Sequence, residues 1–203
     1  MCAPHRHSGG VMARTLPYRA RAPPAIAAML SEAPYTRIYV LREPGPTSFV
    51  VRGEASPRKF KVSIGETHSC SCRASGSPEL CEHIIFVLVR VFRMPVENPL
   101  VWQLSLTERE IVELMRGRVT LHTRPPPRAS VSGPDASAGN GEAPRRELGE
   151  DEVCPICYDV MVADEAGSLT YCRQSCGNNV HTKCMKLWAD NRIKSGEDVT
   201  WCE

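Results

Sequence analysis

The sequence predicts small α+β zinc-binding modules, two of them, joined by a disordered linker. Three observations carry this. Nine of the ten cysteines in the 203 residues fall into two clusters, at 70–83 and 154–202, and each cluster includes a histidine. Between the clusters, from 119 to 151, runs a stretch without apolar periodicity that is dense in Pro, Gly, Ser and Ala. Such a stretch cannot bury enough surface to offset the entropy of ordering it. Aromatic residues make up only 6% of the chain, so the cores are small and metal binding must add to their folding free energy.

Composition narrows the functional classes. A net charge of +2 does not by itself point to a polyanionic partner. The longest apolar run, IIFVLV at 84–89, is followed by Arg90 and is far too short to cross a bilayer, so no membrane partner is expected. The first residues lack the apolar stretch of a secretory signal. A reducing compartment, cytoplasmic or nuclear, is the expected location, and there cysteines serve as thiolate ligands rather than disulfides. Residues 1–31 contain Arg6, Arg14, Arg19 and Arg21 and no acid, a composition that mitochondrial transit peptides share. The simpler expectation for 1–34 is a disordered tail with a short helix at 23–33.

The first module is expected over 35–118. TRIYVLRE (36–43) is rich in β-branched and aromatic residues and reads as a strand, PGPTS (44–48) as a turn and FVVRG (49–53) as a second strand. KFKVSIG (59–65) alternates polar and apolar, as a half-buried third strand does. A helix is predicted over 81–94, stopped by Pro95. A second helix follows over 106–117. Thr107 and Glu110 form its capping box, Ile111, Leu114 and Met115 its apolar face, and Gly117 its C′ residue.

Cys70-x-Cys72 and, after eight intervening residues, Cys81-x-His83 place four ligand-type residues within fourteen. Alternate residues of an extended strand point to the same side, so Cys70 and Cys72 can chelate together. Cys81 and His83 sit at a helix start, where the non-helical entry lets them converge. Three thiolates and an imidazole form a closed, structural zinc set with no open position for hydrolysis. His68 is a competing ligand by type, but the set is complete without it.

Cys-x-Cys…Cys-x-His between a small sheet and a helix resembles the SWIM-type zinc finger. The likeness extends to IYVLREPGPTSFVVRG before it and LSLTEREIVELMRG after it. The resemblance implies a partner-recognition module for protein or DNA. Arg58, Lys59, Lys61, Arg90 and Arg93 could give such a module a basic face, although a solvated face is the plainer reading.

The second cluster reads Cys154, Cys157, Cys172, Cys176, His181, Cys184, Cys202. These are seven ligands of an eight-ligand order shared by RING and PHD fingers. Ile156 within CPIC, and Trp188 four residues after Cys184, sit where RING modules carry residues that contact a ubiquitin-conjugating enzyme. Trp201 directly precedes Cys202, unlike the PHD aromatic two residues before the seventh ligand. The unit over 152–203 therefore resembles a cross-brace RING finger. The resemblance implies one ion on Cys154, Cys157, His181 and Cys184. A second would bind Cys172, Cys176 and Cys202 with an eighth ligand expected beyond Glu203. The first residue after Cys202 is Glu203, where RING modules usually have Pro. Only Cys2 is left as a spare.

Together the two resemblances imply a SWIM-plus-RING ubiquitin ligase that holds one zinc in the SWIM module and up to two in the RING. Its partners would be a ubiquitin-conjugating enzyme, ubiquitin and a protein substrate, with DNA a further possibility through the SWIM module. No residue is expected to act as a nucleophile; Ile156 and Trp188 dock the partner. Two other readings stand beside it: a PHD-like chromatin or DNA adaptor without enzymatic activity, and a truncated fragment whose second module does not fold.

Overall fold

The computed structural model describes residues 14–72, 79–122, 143–162 and 167–199. Helix α1 (Pro24–Glu32) opens with proline in its first turn, where a missing N–H costs nothing, and buries Ile26 and Leu30. Four antiparallel strands follow in sequence order: β1 (Ile38–Gly45), β2 (Ser48–Gly53), β3 (Lys59–Ser63) and β4 (Ser69–Cys70). Register sorts their side chains by face. Val40 opposes Val51 and Phe49 opposes Val62, and all four are buried. Tyr39 opposes Arg52 and Lys61 opposes Val50, on the outer face. The β1–β2 register shifts twice, between Val40 and Arg42 and again before Gly45, which bends β1.

The helix expected over 81–94 is shorter and divided. An α-helical turn, α2 (Glu82–Phe86), passes into a π-helical turn over Val87–Val91, where Phe92 N–H reaches back to the Val87 carbonyl at 2.9 Å. Ile84 to Leu88 are all at most 1% exposed, so this segment is enclosed on every side. Arg93 then takes a left-handed φ of 53° and ends the helix. Met94 could not have extended it, because the residue before a proline is disfavoured in the α region. Phe92 packs edge-on against Phe49 with ring centroids 5.7 Å apart, joining helix to sheet.

Helix α3 (Glu108–His122) also departs from expectation, because it runs through Gly117. Its start is the predicted box: Thr107 N–H donates to Glu110 Oε2 at 2.8 Å. Continuing past Gly117 carries Arg118 to the Glu43 carboxylate and over the rings of Phe49 and Phe92, at 5.1 and 5.8 Å. Those contacts outweigh the ~1 kcal/mol that an interior glycine costs a helix.

The expected tail is not free from Arg14 onward. Leu16 N–H donates to Ser105 Oγ at 3.1 Å and Arg19 N–H to Gln103 Oε1 at 2.9 Å. Trp102 Nε1 returns a bond to the Arg19 carbonyl at 3.0 Å. Backbone-to-side-chain bonds of this kind leave no periodic apolar trace in a sequence.

The second module contains a bridge between Val153 and Val160, a two-stranded sheet of β5 (Leu169–Tyr171) and β6 (Asn179–His181), and helix α4 (Thr182–Lys194). The linker was expected to reach 151, yet 143–149 belong to this module. Ala143 N–H donates to the Arg173 carbonyl at 2.6 Å and Arg146 N–H to the Gly177 carbonyl at 3.0 Å. Asn179, 2% exposed, accepts from Arg145 Nε and donates to the Arg146 carbonyl. The strap is held by backbone and amide bonds, which explains why its polar composition reads as a linker.

The modules touch. The free edge of β1 donates Val40 N–H to the Ile156 carbonyl at 2.7 Å. Tyr158, 6% exposed, sits in the core of the first module. Arg90 donates to the Tyr158 carbonyl and to that of Pro34, both at 3.0 Å, and pairs with Asp159.

Candidate metal centres

The sheet and α2 build the first centre. Ser71 N–H bonds the Lys61 carbonyl at 2.9 Å, which extends the pairing of β4 with β3 past Cys70 and fixes the turn that carries Cys72. Cys81 is extended, with φ −125° and ψ 168°, and directly precedes α2, so His83 turns back toward it. Ligand atoms of Cys70, Cys72, Cys81 and His83 all lie within 4.8 Å of one another. His83 Nδ1 is 3.9 Å from Cys81 Sγ, and Nε2 faces the Glu82 carboxylate at 3.9 Å. That arrangement directs Nδ1 inward and gives the other ring nitrogen an acidic neighbour, the usual setting of a ligating histidine. Phe60 packs on the imidazole, centroid to centroid 4.3 Å. His68 is buried 13 residues upstream of Cys81 and outside the cluster; its Nδ1 accepts from Gly65 N–H at 3.3 Å.

The second centre draws on two remote segments. Cys154 and Cys157 come from the loop beside the Val153–Val160 bridge, His181 from the end of β6, and Cys184 from the first turn of α4. Their ligand atoms also lie within 4.8 Å of one another, with His181 Nδ1 3.3 Å from Cys157 Sγ and 3.9 Å from Cys184 Sγ. The three cysteines are at most 5% exposed.

Both donor sets fit zinc. Sulfur and nitrogen at 2.0–2.3 Å around one tetrahedral ion require the ligand atoms to be roughly 3.5–4 Å apart. Thiol chemistry agrees. In the first centre the Cys70 thiol donates to Cys81, which pushes Cys81 down to about 3 and Cys70 up. In the second, hydrogen bonds from Cys157 and Cys184 pull Cys154 down while those two are pushed up. Thiols this close cannot all ionise unless a cation shares the site.

Cys172 and Cys176 lie apart from this set, flanking a turn closed by Gly177 N–H to the Cys172 carbonyl at 3.1 Å. Cys202 and Cys2 are outside the described residues. Among residues expected to meet a partner, Ile156 is 1% exposed and lies in the module's core, so its side chain is not a free surface. Trp188 is half-buried against the same core. Arg90 is occupied by Asp159 and so does not contribute a free charge to the expected basic face, whereas Arg58, Lys59 and Lys61 are exposed.

Residues 60–92, which contain all four ligands of the first centre, match the family model for the SWIM zinc finger. Across a longer span, the chain is 38% identical over 165 residues to the E3 ubiquitin-protein ligase Zswim2 of Mus musculus, covering 79% of this chain and 25% of that protein. It is 35% identical over 167 residues to the E3 ubiquitin-protein ligase ZSWIM2 of Homo sapiens, covering 81% and 26%. Mitogen-activated protein kinase kinase kinase 1 of Homo sapiens is 31% identical over 178 residues, covering 80% and 11%. The chain thus spans about a quarter of the length of the first two relatives. No solved structure matches.

Glu43, Tyr158 and Asp159, which help join the first module to the second, went unnoticed in the sequence, and Arg90, expected on a basic face, joins them instead. They belong to no motif. The one available hint was Tyr158 itself, a large aromatic directly after Cys157 in a chain with few aromatics. Among the described residues no helix is long and apolar enough to cross a membrane.

Proposed function

We propose that this chain is the SWIM and RING portion of an E3 ubiquitin ligase. The convergence of Cys154, Cys157, His181 and Cys184, with Cys172 and Cys176 lying between them in sequence but left out of the centre, carries the reading. It is the interleaved order of a cross-brace. The relatives named as E3 ubiquitin-protein ligases, and Trp188 on α4, favour a RING over a PHD finger. On this reading one zinc binds in the SWIM module and one on the interleaved centre. Another binds Cys172, Cys176 and Cys202 with an eighth ligand. The protein works in the cytoplasm or nucleus, where thiols stay reduced.

The chemistry is positioning. A conjugating enzyme carrying ubiquitin as a thioester docks on the second module through Ile156 and Trp188. A substrate lysine attacks the thioester carbonyl, the new bond is an isopeptide, and the thiolate leaves on the conjugating enzyme. This chain contributes no nucleophile, because its clustered thiols are metal ligands. The SWIM module recruits the substrate.

A discharge assay tests this: the full-length protein, a panel of ubiquitin-loaded conjugating enzymes, and loss of thioester read over time. Acceleration by the wild type that falls at least tenfold with Trp188→Ala is expected, since aromatic anchors dominate small interfaces. Absence of acceleration across the panel sinks the proposal.

A further inference from the structure

We infer that the SWIM module holds the second module in a closed state, with β1 lying across the face that would receive the conjugating enzyme. This rests on the ligase reading above and adds a mode of regulation to the same surface.

Both docking residues are tied to β1. Ile156 is 1% exposed, and its carbonyl accepts the N–H of Val40 at 2.7 Å, so the free edge of β1 runs directly beside the CPIC loop. Tyr39, the neighbouring residue, packs from the outer face of the sheet onto the core that contains Ile156, the same core against which Met185 and Trp188 pack. On the other side, the Arg192 guanidinium lies 5.4 Å from the centroid of the Trp188 ring. Arg192 pairs with Glu197 at 2.8 Å, and Glu197 with Arg42 of β1 at 3.3 Å. A partner that needs the CPIC loop and the Trp188 ring must therefore displace β1 and unstack Arg192.

The clasp is of a kind that can open. At one end Arg90 holds Asp159 and the Tyr158 carbonyl; at the other Arg42 holds Glu197 and Lys59 Nζ lies 3.5 Å from Ser195 Oγ. Arg42 is 60% exposed and Asp159 48%, so these pairs are worth little individually. Opening must also withdraw Tyr158 from the first module's core; interfaces between modules of one chain permit relative motion unless they are large and hydrophobic. Binding to such a protein is weakened by the fraction of molecules that are open.

The test uses full-length protein and two independent opening variants, Arg90→Glu and Arg42→Glu, each checked for unchanged zinc content by native mass spectrometry. Hydrogen exchange at the Val40 amide reads opening; titration with a ubiquitin-loaded conjugating enzyme reads access. Faster Val40 exchange together with about tenfold tighter binding in both variants is expected, corresponding to a wild type that is about one-tenth open. Faster exchange with unchanged or weaker binding overturns the closed state while leaving the ligase reading intact, provided Trp188→Ala still abolishes wild-type binding. Unchanged Val40 exchange in both variants overturns it as well, since these contacts then do not hold β1 in place. If neither wild type nor variants bind any conjugating enzyme, the ligase reading falls and takes this inference with it.

Discussion

Tyr158 of the second module donates its hydroxyl to Glu43 of the SWIM module at 3.1 Å, and the same carboxylate pairs with Arg118 from α3. The phenol is buried, and burial first, then the Glu43 charge, push its ionisation above the ordinary range. Tyr158 also has a left-handed φ of 59°, a conformation that costs a bulky residue free energy and persists only where surrounding contacts enforce it. Here the enforcing contacts are Glu43 on the hydroxyl and Arg90 on the carbonyl, both from the other module.

Replacing Tyr158 with Phe should keep the ring in place and lose only the bond to Glu43. A hydrogen bond to a charged acceptor is worth about 1.5–3 kcal/mol, and the partial exposure of Glu43 places the expected loss near the lower end. Chemical denaturation of the zinc-loaded protein measures it. A cycle with Glu43→Gln should show coupling of about 1 kcal/mol or more, and additive losses would mean that the two side chains do not act on each other.

Metal content offers a second check. The two clusters predict at least two tightly held zinc ions, lost one at a time by Cys81→Ala and Cys154→Ala. Removing a ligand from a structural site removes folding free energy, so each variant should also lose exchange protection in its own module. Native mass spectrometry counts the ions directly. A wild type with fewer than two would refute the assignment.

How much of this could be read from the sequence depended on the kind of interaction. The residues that cluster at both centres were legible because a chelating pattern fixes residue type and spacing together, as in Cys70-x-Cys72 or Cys154-x2-Cys157. The first three strands were legible because 36–43 is rich in β-branched and aromatic residues and 59–65 alternates, whereas β4, β5 and β6 were not expected. What failed to show was structure held by polar bonds between remote segments. Gly117 read as a helix stop because nothing local announces that Arg118 will find Glu43. The strap at 143–149 read as linker because Asn179 and the loop at 173–177 lie some thirty residues on. The docking of the modules was hidden for the same reason: Tyr158 and Arg90 each look ordinary alone.

His68 predicts a pH dependence. Burial first, then the nearby Arg14 charge, lower its value from 6.5 to about 4. Its Nδ1 accepts from Gly65, and Nε2 has no partner among the described residues, so the folded state favours the neutral ring. The unfolded chain binds a proton near 6.5 and the folded chain only near 4. This contribution to stability is therefore whole above pH 6.5 and is lost as pH falls through 4, by on the order of 3 kcal/mol. Acid also competes with a metal ion for the clustered Cys and His side chains, so the useful comparison is with His68→Asn, whose amide oxygen can replace Nδ1 as acceptor. Stability of the variant should fall less steeply between pH 6.5 and 4. Parallel curves would show that His68 is not responsible.

Gly177 and Gly196 form a matched pair that isolates the strap. Both have left-handed backbone, with φ of 68° and 69°. A side chain at Gly196, just past the end of α4, would meet nothing within 4 Å, so Gly196→Ala should cost only the backbone penalty, about 1–2 kcal/mol. A Cβ at Gly177 would lie 2.2 Å from the Pro144 carbonyl oxygen, a backbone atom that cannot swing away as a side chain could. Gly177→Ala must therefore push the strap off, breaking the bond from Arg146 N–H to the Gly177 carbonyl. Expected is a loss exceeding that of Gly196→Ala by at least about 1 kcal/mol, with fast exchange appearing at the Arg146 amide. Because Gly177 closes the turn between Cys172 and Cys176, zinc held there should also weaken. Equal losses for the two variants would show that 143–149 is not part of the second module's folded unit.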